Sequence, residues 1–456
     1  MRRHARFAAF FFLTCVFACA QRPASPDRAP DGTWAGDALC RGARLAFSVR
    51  FESGGGSLRA WLDCPDFLLL GNPLDSVAFE RPRVRFTTPG DHPIRFEGVV
   101  AGDSIAGSAL LGAVPGVTEP GAARDPERIR FALRQTVMSP PPYATRPVSF
   151  RNGNVELGGT VYLPPGDTPS LPGVVILQGS SANLRDEYGF YADHFARAGF
   201  AVLVFDKRGH GGSGGDYGAA SYDDLAGDAA AALARLRAEP RVVASRVGLW
   251  GLSQGALLAP MVAAKAGSPA FVVAVSAPGI PTGECAAYQD SVRLASAGFA
   301  VARAESAAVL DRRLLDWLQT GRGREALEAD LARVADAPWR RASSIPRRLP
   351  SGPALEGWYW RGRTLDPLPA WRALRVPALV VFGGADELLP APASAARIAS
   401  ALDVGRNPDH AVKTFPSANH VLRRLPLAAG GRWDWPRAAP GYVELITQWM
   451  LAHARR

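Results

Sequence analysis

Three residue types that together activate a hydroxyl group occur in this chain in one order. They are a serine in Gly251-Leu252-Ser253-Gln254-Gly255, an aspartate at Asp386 and a histidine at His420. A serine hydroxyl is a poor nucleophile at neutral pH and needs an imidazole beside it as base. The imidazole needs a carboxylate to fix its tautomer and stabilise its charged form. The apolar run Val247-Gly248-Leu249-Trp250 reads as a buried strand, and Ala256-Leu257-Leu258 opens an apolar helix. A Gly-x-Ser-x-Gly between such elements is a sharp elbow that exposes the serine, with the acid and then the histidine following in the chain. Ser253 is the expected nucleophile.

Only His410, His420 and His453 follow Ser253. His453 lies in a terminal helix beside Arg455 and Arg456 and reads as solvated. His410 stands in Arg406-Asn-Pro-Asp-His410, ahead of the last strand. His420 follows the strand Ala411-Val-Lys-Thr-Phe415, at the end where chemistry belongs, and is the expected base. Asp386 directly follows the strand Ala378-Leu-Val-Val-Phe382 and is the expected acid, with Glu387 pointing elsewhere. An oxyanion hole needs two backbone N–H groups. Gln254 is expected to supply one, and the loop Gln178-Gly-Ser-Ser-Ala-Asn183 the other, from Ser180 first or Ser181 second.

The stretch Gly209-His-Gly-Gly-Ser-Gly-Gly215 holds both a G-x-G-x-x-G and a second G-x-S-x-G, centred on Ser213. No acidic residue ends a further strand about twenty residues on, as a dinucleotide site requires, so no cofactor is expected. No apolar helix follows Ser213 directly, and His210 reads as a loop residue. No Cys/His spacing suggests a metal. Cys40 and Cys64 either pair or stay as buried thiols, and Cys285 is left unpaired.

The elements that position these residues divide the chain. Residues 33–136 alternate apolar and polar side chains at period two between turn signals, which predicts a small antiparallel barrel or sandwich. The run Ser139-Pro-Pro-Pro142 marks a stiff linker, taken as 137–147. From 148 to 456, continuous apolar runs alternate with helical patterns, as in a mostly parallel, doubly wound sheet covered on both faces. About 280–372 the rhythm gives way to amphipathic helices, an expected lid. Trp358-Tyr359-Trp360 belongs to it, as packing or as an acyl-binding surface.

Arg2, Arg3 and Arg6 precede a short apolar run, so residues 1–20 read as an export signal and 21–32 as a tether. Cys19 sits in a lipobox-like Val16-Phe-Ala-Cys19, while Ala18-Cys19-Ala20 also fits simple cleavage. The expected location is periplasmic or envelope-anchored through a lipid, with secretion as the alternative. The net charge of +10 comes almost wholly from scattered arginines. With no basic helix or aromatic-basic stripe, a nucleic-acid partner is not expected.

From Val148 to Ala452, outside the lid, the chain resembles the α/β-hydrolase superfamily. Within it, the chain is similar to exported bacterial esterases. The resemblance rests on Gly-Leu-Ser253-Gln-Gly, Gly-Gly-Ala-Asp386 and Asn-His420. Leu177-Gln-Gly-Ser-Ser, Phe205-Asp-Lys-Arg-Gly-His-Gly-Gly-Ser213 and Gly32-Thr-Trp-Ala-Gly36 extend it. Gln178 departs from the histidine common in relatives, and Ser181 from a glycine. The resemblance implies a serine hydrolase acting on small carboxylic esters. Peptidase or thioesterase activity, or a catalytically inactive envelope binding protein, are the alternatives.

Overall fold

A computed structural model describes residues 29–89, 93–111, 127–166, 170–181, 184–265, 268–424 and 434–454. Residues 1–20, expected to be an export signal, and Cys19 among them lie outside these residues.

The first nine strands are β1 (Gly32–Cys40), β2 (Ala43–Gly54), β3 (Ser57–Cys64), β4 (Leu69–Pro73), β5 (Asp75–Glu80), β6 (Arg83–Thr87), β7 (Arg95–Ala101), β8 (Ser104–Leu111) and β9 (Glu127–Thr136). They form one antiparallel sheet in the order β4-β3-β2-β1-β9-β8-β7-β6-β5. The two edge strands are consecutive in the chain, so the sheet curls until they nearly meet: a barrel rather than a sandwich. Period-two alternation turns Phe47, Phe51, Phe86, Phe96 and Phe131 inward. Phe86 stacks on Phe96 at 4.8 Å, and Phe131 meets Phe96 edge-on at 5.6 Å. The interior is a packed aromatic core.

Cys40 and Cys64 are both buried, and no disulfide joins them. They lie on β1 and β3, with β2 between them. Two strand spacings are about 9.5 Å, beyond the Cα separation a disulfide spans.

Residues 137–143 connect the barrel to the second sheet. Ala144–Pro147, expected in the linker, already pair as the start of a strand. That sheet comprises β10 (Ala144–Asn152), β11 (Val155–Leu163), β12 (Leu171–Leu177), β13 (Ala201–Phe205), β14 (Val242–Leu252), β15 (Val272–Val275), β16 (Ala378–Gly383) and β17 (His410–Phe415). The order is β10-β11-β13-β12-β14-β15-β16-β17, antiparallel over the first three and parallel from β13 onward. Short β18 (Arg423–Arg424) and β19 (Arg437–Ala438) pair with each other.

The helices are α1 (Gly189–Arg197), α2 (Tyr222–Arg237), α3 (Gln254–Lys265), α4 (Thr282–Ser296), α5 (Val301–Thr320), α6 (Arg324–Arg333), α7 (Pro353–Glu356), α8 (Leu368–Ala373), α9 (Ala391–Val404) and α10 (Tyr442–His453). Alternate strand residues serve opposite faces. Val174, Ile176 and Trp250 share a core with Phe195 of α1 and Ile446 of α10. Val175, Leu177 and Leu249 share the other with Leu233 of α2, Leu257 of α3 and Ile398 of α9. Burial on both faces explains the unbroken apolar runs. No described helix is long and apolar enough to cross a membrane.

Helices α4 to α7, between β15 and β16, share a core around Leu310, Leu314, Trp317 and Trp339, whereas Trp371 of α8 is buried in the core of the sheet. The insertion rests on loops at the carboxyl edge of the sheet. The Trp358 N–H donates to the Ala220 carbonyl at 2.7 Å, and the Tyr288 hydroxyl to that of Asp386 at 2.9 Å. Trp358 packs against Tyr217 with ring centres 5.0 Å apart.

The barrel also touches this edge. Its β3–β4 connection, Pro65–Leu68, enters the second unit, and Leu68 is buried in the core that contains Tyr188, Tyr191 and Leu422. Asp66 pairs with Arg437, and Trp435 Nε1 donates to the Ala43 carbonyl at 3.1 Å.

Candidate active site

Sequence order reverses on either side of β12, which has β13 on one flank and β14 on the other. In open α/β sheets the crevice beyond such strand ends receives the ligand. Ser253 follows β14 there, and the Gln178–Ser181 loop follows β12.

Ser253 has φ of +55°, a strained value for a side-chain-bearing residue. The elbow holds it: its N–H donates to Val275 at 2.8 Å, and its carbonyl accepts from Leu257 at 3.0 Å as α3 begins. The flanking glycines are sterically required. A Cβ on Gly251 would lie 2.3 Å from the Gly255 carbonyl oxygen, and one on Gly255 would lie 2.0 Å from that of Leu177.

Asp386 follows β16 and His420 follows β17. The Asp386 Oδ2 lies 2.8 Å from His420 Nδ1, and both residues are buried. Oδ1 of Asp386 accepts from the N–H groups of Leu388 and Leu389 at 2.8 and 3.0 Å, so the carboxylate is held in place. With Nδ1–H given to Asp386, Nε2 is the ring nitrogen left to accept a proton. Val275, which binds Ser253, precedes Ser276, whose hydroxyl donates to the His420 carbonyl at 2.7 Å. The serine elbow and the histidine loop are thus tied through two consecutive residues.

Gln254 is the first residue of α3 and is buried, so its N–H belongs to the helix N-terminus. Ser180 and Ser181 are exposed in the facing loop. The N–H of Gly179 donates to the Tyr188 hydroxyl at 2.7 Å, which removes it as an oxyanion donor.

Several side chains depart from sequence expectation. Glu387 does not point away: its carboxylate accepts the His420 N–H at 3.3 Å, and burial raises its pKa. His453 is not solvated. Its Nε2 lies 3.1 Å from Asp409, and its ring stacks on Trp449 at 3.8 Å. Ser213, the decoy serine, is structural: its hydroxyl donates to the Asp206 carbonyl at 2.7 Å and accepts from Gly158 at 3.0 Å. His210 lies in that turn, its Nδ1 3.1 Å from the Arg208 carbonyl. Trp358 is half-buried packing, whereas Tyr359 is exposed.

Sequence reasoning missed Lys207, Tyr217 and Tyr188 altogether. Burial pushes the Lys207 ammonium down to about 7 and raises the Tyr217 phenol. Among the described residues no group of three or more His, Cys, Asp or Glu is arranged to hold a metal.

A model of the alpha/beta hydrolase family matches residues 174–443. No curated protein matches the chain. Among solved structures, an esterase of Pyrococcus furiosus is similar at 19% identity and a TM-score of 0.42, covering 70% of this chain and 96% of that one. The protein Est1E of Butyrivibrio proteoclasticus with ferulic acid bound has 17% identity and a TM-score of 0.42, covering 68% of this chain and 100% of that one. A proline iminopeptidase of Mycobacterium smegmatis has 14% identity and a TM-score of 0.39, covering 68% and 99%.

Proposed function

The chain belongs to the α/β hydrolase family, and from that premise we propose that it is an exported serine hydrolase cleaving small carboxylic esters through an acyl-enzyme. Ser253 Oγ attacks the ester carbonyl while His420 Nε2 takes its proton. Asp386 holds the resulting imidazolium. The N–H groups of Gln254 and Ser180 receive the charge that develops on the carbonyl oxygen. His420 returns the proton to the leaving alcohol, and a water molecule then repeats the sequence to free the acid.

The observation that carries this reading is the 2.8 Å pairing of His420 Nδ1 with buried Asp386, tied by way of Ser276 and Val275 to a serine at φ +55°. That combination orients a base and strains a nucleophile, which a merely structural serine does not require.

A fluorophosphonate probe tests the nucleophile. Wild type should be labelled and Ser253→Ala should not; equal labelling of both sinks the assignment. p-Nitrophenyl acyl esters, acyl thioesters and aminoacyl anilides then separate the substrate classes. Predominant turnover of anilides would make the protein a peptidase, and of thioesters a thioesterase. No labelling of wild type and no turnover of any class would leave a catalytically inactive binding protein.

A further inference from the structure

Lys207 lies two residues beyond β13 and is buried beneath the Gln178–Ser181 loop. Its ammonium has three protons, and three oxygens receive them: the Gly179 carbonyl, the Tyr217 hydroxyl at 3.0 Å and Gln254 Oε1 at 2.8 Å. None of the three is a carboxylate. Glu187 acts on the ammonium only at longer range. A cation kept in a buried place without an ion pair is costly, and burial disfavours its charged form. The fold retains it nonetheless.

Two of the three acceptors, the Gly179 carbonyl and Gln254 Oε1, belong to the two segments assigned above as oxyanion donors. The Gly179 carbonyl and the Ser180 N–H are opposite ends of one peptide group. In a trans peptide these two bonds point in opposite directions, so fixing the carbonyl on Lys207 turns the Ser180 N–H away from the lysine. Ser253 borders the same residue: a Cβ on Gly179 would lie 3.8 Å from that of Ser253. The other oxygen, Gln254 Oε1, anchors the residue whose N–H is the second donor. Tyr217 cross-links the two, its hydroxyl 2.7 Å from the Ser180 carbonyl and 2.9 Å from Gln254 Oε1. One peptide earlier in the loop, the Gly179 N–H is fixed by Tyr188.

We propose that Lys207 is the positioning residue of the oxyanion hole, holding the Gly179–Ser180 peptide with its N–H toward the substrate oxygen and placing an unpaired positive charge behind it. This rests on the serine-hydrolase reading. The charge acts twice. It selects one orientation of the peptide, and it polarises that peptide so that its N–H is a stronger donor when the oxyanion forms. Neither contribution is needed to bind neutral ester, so the effect belongs in kcat and not in KM.

The test compares wild type, Lys207→Met and Lys207→Gln with p-nitrophenyl acetate and with a trifluoromethyl ketone, whose serine adduct carries an oxyanion. For Lys207→Met, kcat should fall by about 100-fold, the scale of losing one oxyanion donor, with KM changed by less than about threefold. Affinity for the ketone should fall in parallel. Lys207→Gln, which donates without charge, should be intermediate, and it carries the test alone if the methionine variant does not fold.

The titratable groups facing Lys207 are Glu187, Tyr188 and Tyr217, with the Arg208–Asp228 pair beyond them. The phenols are raised by burial. In wild type, kcat should therefore lose part of its value as pH rises through about 7, where the ammonium deprotonates, a step missing from Lys207→Met. If neither variant folds, that step decides: its absence in wild type overturns the proposal. A folded Lys207→Met with kcat within threefold of wild type, or a loss confined to KM, also overturns it. Failure of wild type to react with fluorophosphonate instead removes the serine-hydrolase reading beneath it, so the two failures are distinguishable.

Discussion

Ser276 grips the main chain of His420 rather than its ring: its buried hydroxyl donates to the His420 carbonyl at 2.7 Å, from a residue itself held at φ +52°. With Glu387 taking the histidine N–H and Asp386 the ring, His420 is fixed at three points. Ser276→Ala frees one of them and leaves a buried carbonyl unpaired. A net hydrogen bond of about 1 kcal/mol converts to a kcat loss of roughly five- to tenfold, with KM little changed. Steady-state kinetics on p-nitrophenyl acetate checks it, and an unaltered kcat would show that the backbone clamp is dispensable.

Asp386→Asn keeps the shape of the acid but offers His420 an amide in place of a carboxylate. The ring is then free to adopt the wrong tautomer. A fall in kcat on the order of 10^4 is expected, along with a loss of fluorophosphonate labelling rate. Retention of more than about a tenth of the activity would exclude Asp386 as the orienting acid.

The insertion carries a second buried acid with a different signature. Asp311 is 4% exposed, and neither carboxylate oxygen has a hydrogen-bond partner among the described residues. Burial first, then the charge of Asp290, raises its pKa from 3.8 to about 7. The folded protein therefore holds this proton between those values while the unfolded chain has released it. Stability from this group is complete below the unfolded value and is lost as pH rises through about 7. Asp311→Asn should stabilise the protein at pH 8, by up to about 4 kcal/mol, and far less at pH 4. Thermal melts at both pH values would show it, and a gain independent of pH would contradict it.

Leu68 reaches from the barrel into the core beside Tyr188. Leu68→Ala should cost about 2–5 kcal/mol, the range for emptying a packed leucine site, measured by urea unfolding. Because Tyr188 anchors Gly179, kcat should also fall. Lost stability with unchanged kcat would confine Leu68 to packing.

If residues 1–20 act as the proposed export signal, lipidation at Cys19 predicts a membrane-fraction protein whose N-terminal peptide carries acyl chains by mass spectrometry. An unmodified N-terminus beyond residue 20 would indicate simple secretion instead.

The proposed triad was legible because each member lies next to a strong local signal. Ser253 sits in a glycine-bracketed elbow, and Asp386 and His420 each follow an apolar strand, so chain order alone aligned them. The fold was legible for the same reason: two-sided burial of β12 to β16 leaves unbroken apolar runs. Contacts among distant loops leave no such trace. Lys207 reaches Gly179, Tyr217 and Gln254 across three connections, and nothing in Asp-Lys-Arg-Gly announces that the lysine turns inward. Glu387 and His453 were misplaced because a residue's neighbours in sequence say little about which loop packs over it. The near-closure of the barrel was equally hidden, since it depends on curvature summed over nine strands.

The entry of Leu68 into the second unit bears on how this protein was assembled. A barrel that only decorated an enzyme could be lost or exchanged without touching its chemistry. Here the Pro65–Leu68 turn shares a core with Tyr188, which orients the loop after β12, and with Leu422, two residues past His420. The two units are therefore expected to have been inherited and optimised as one frame. Transplanting the hydrolase portion alone would leave its two most exacting loops without their common brace.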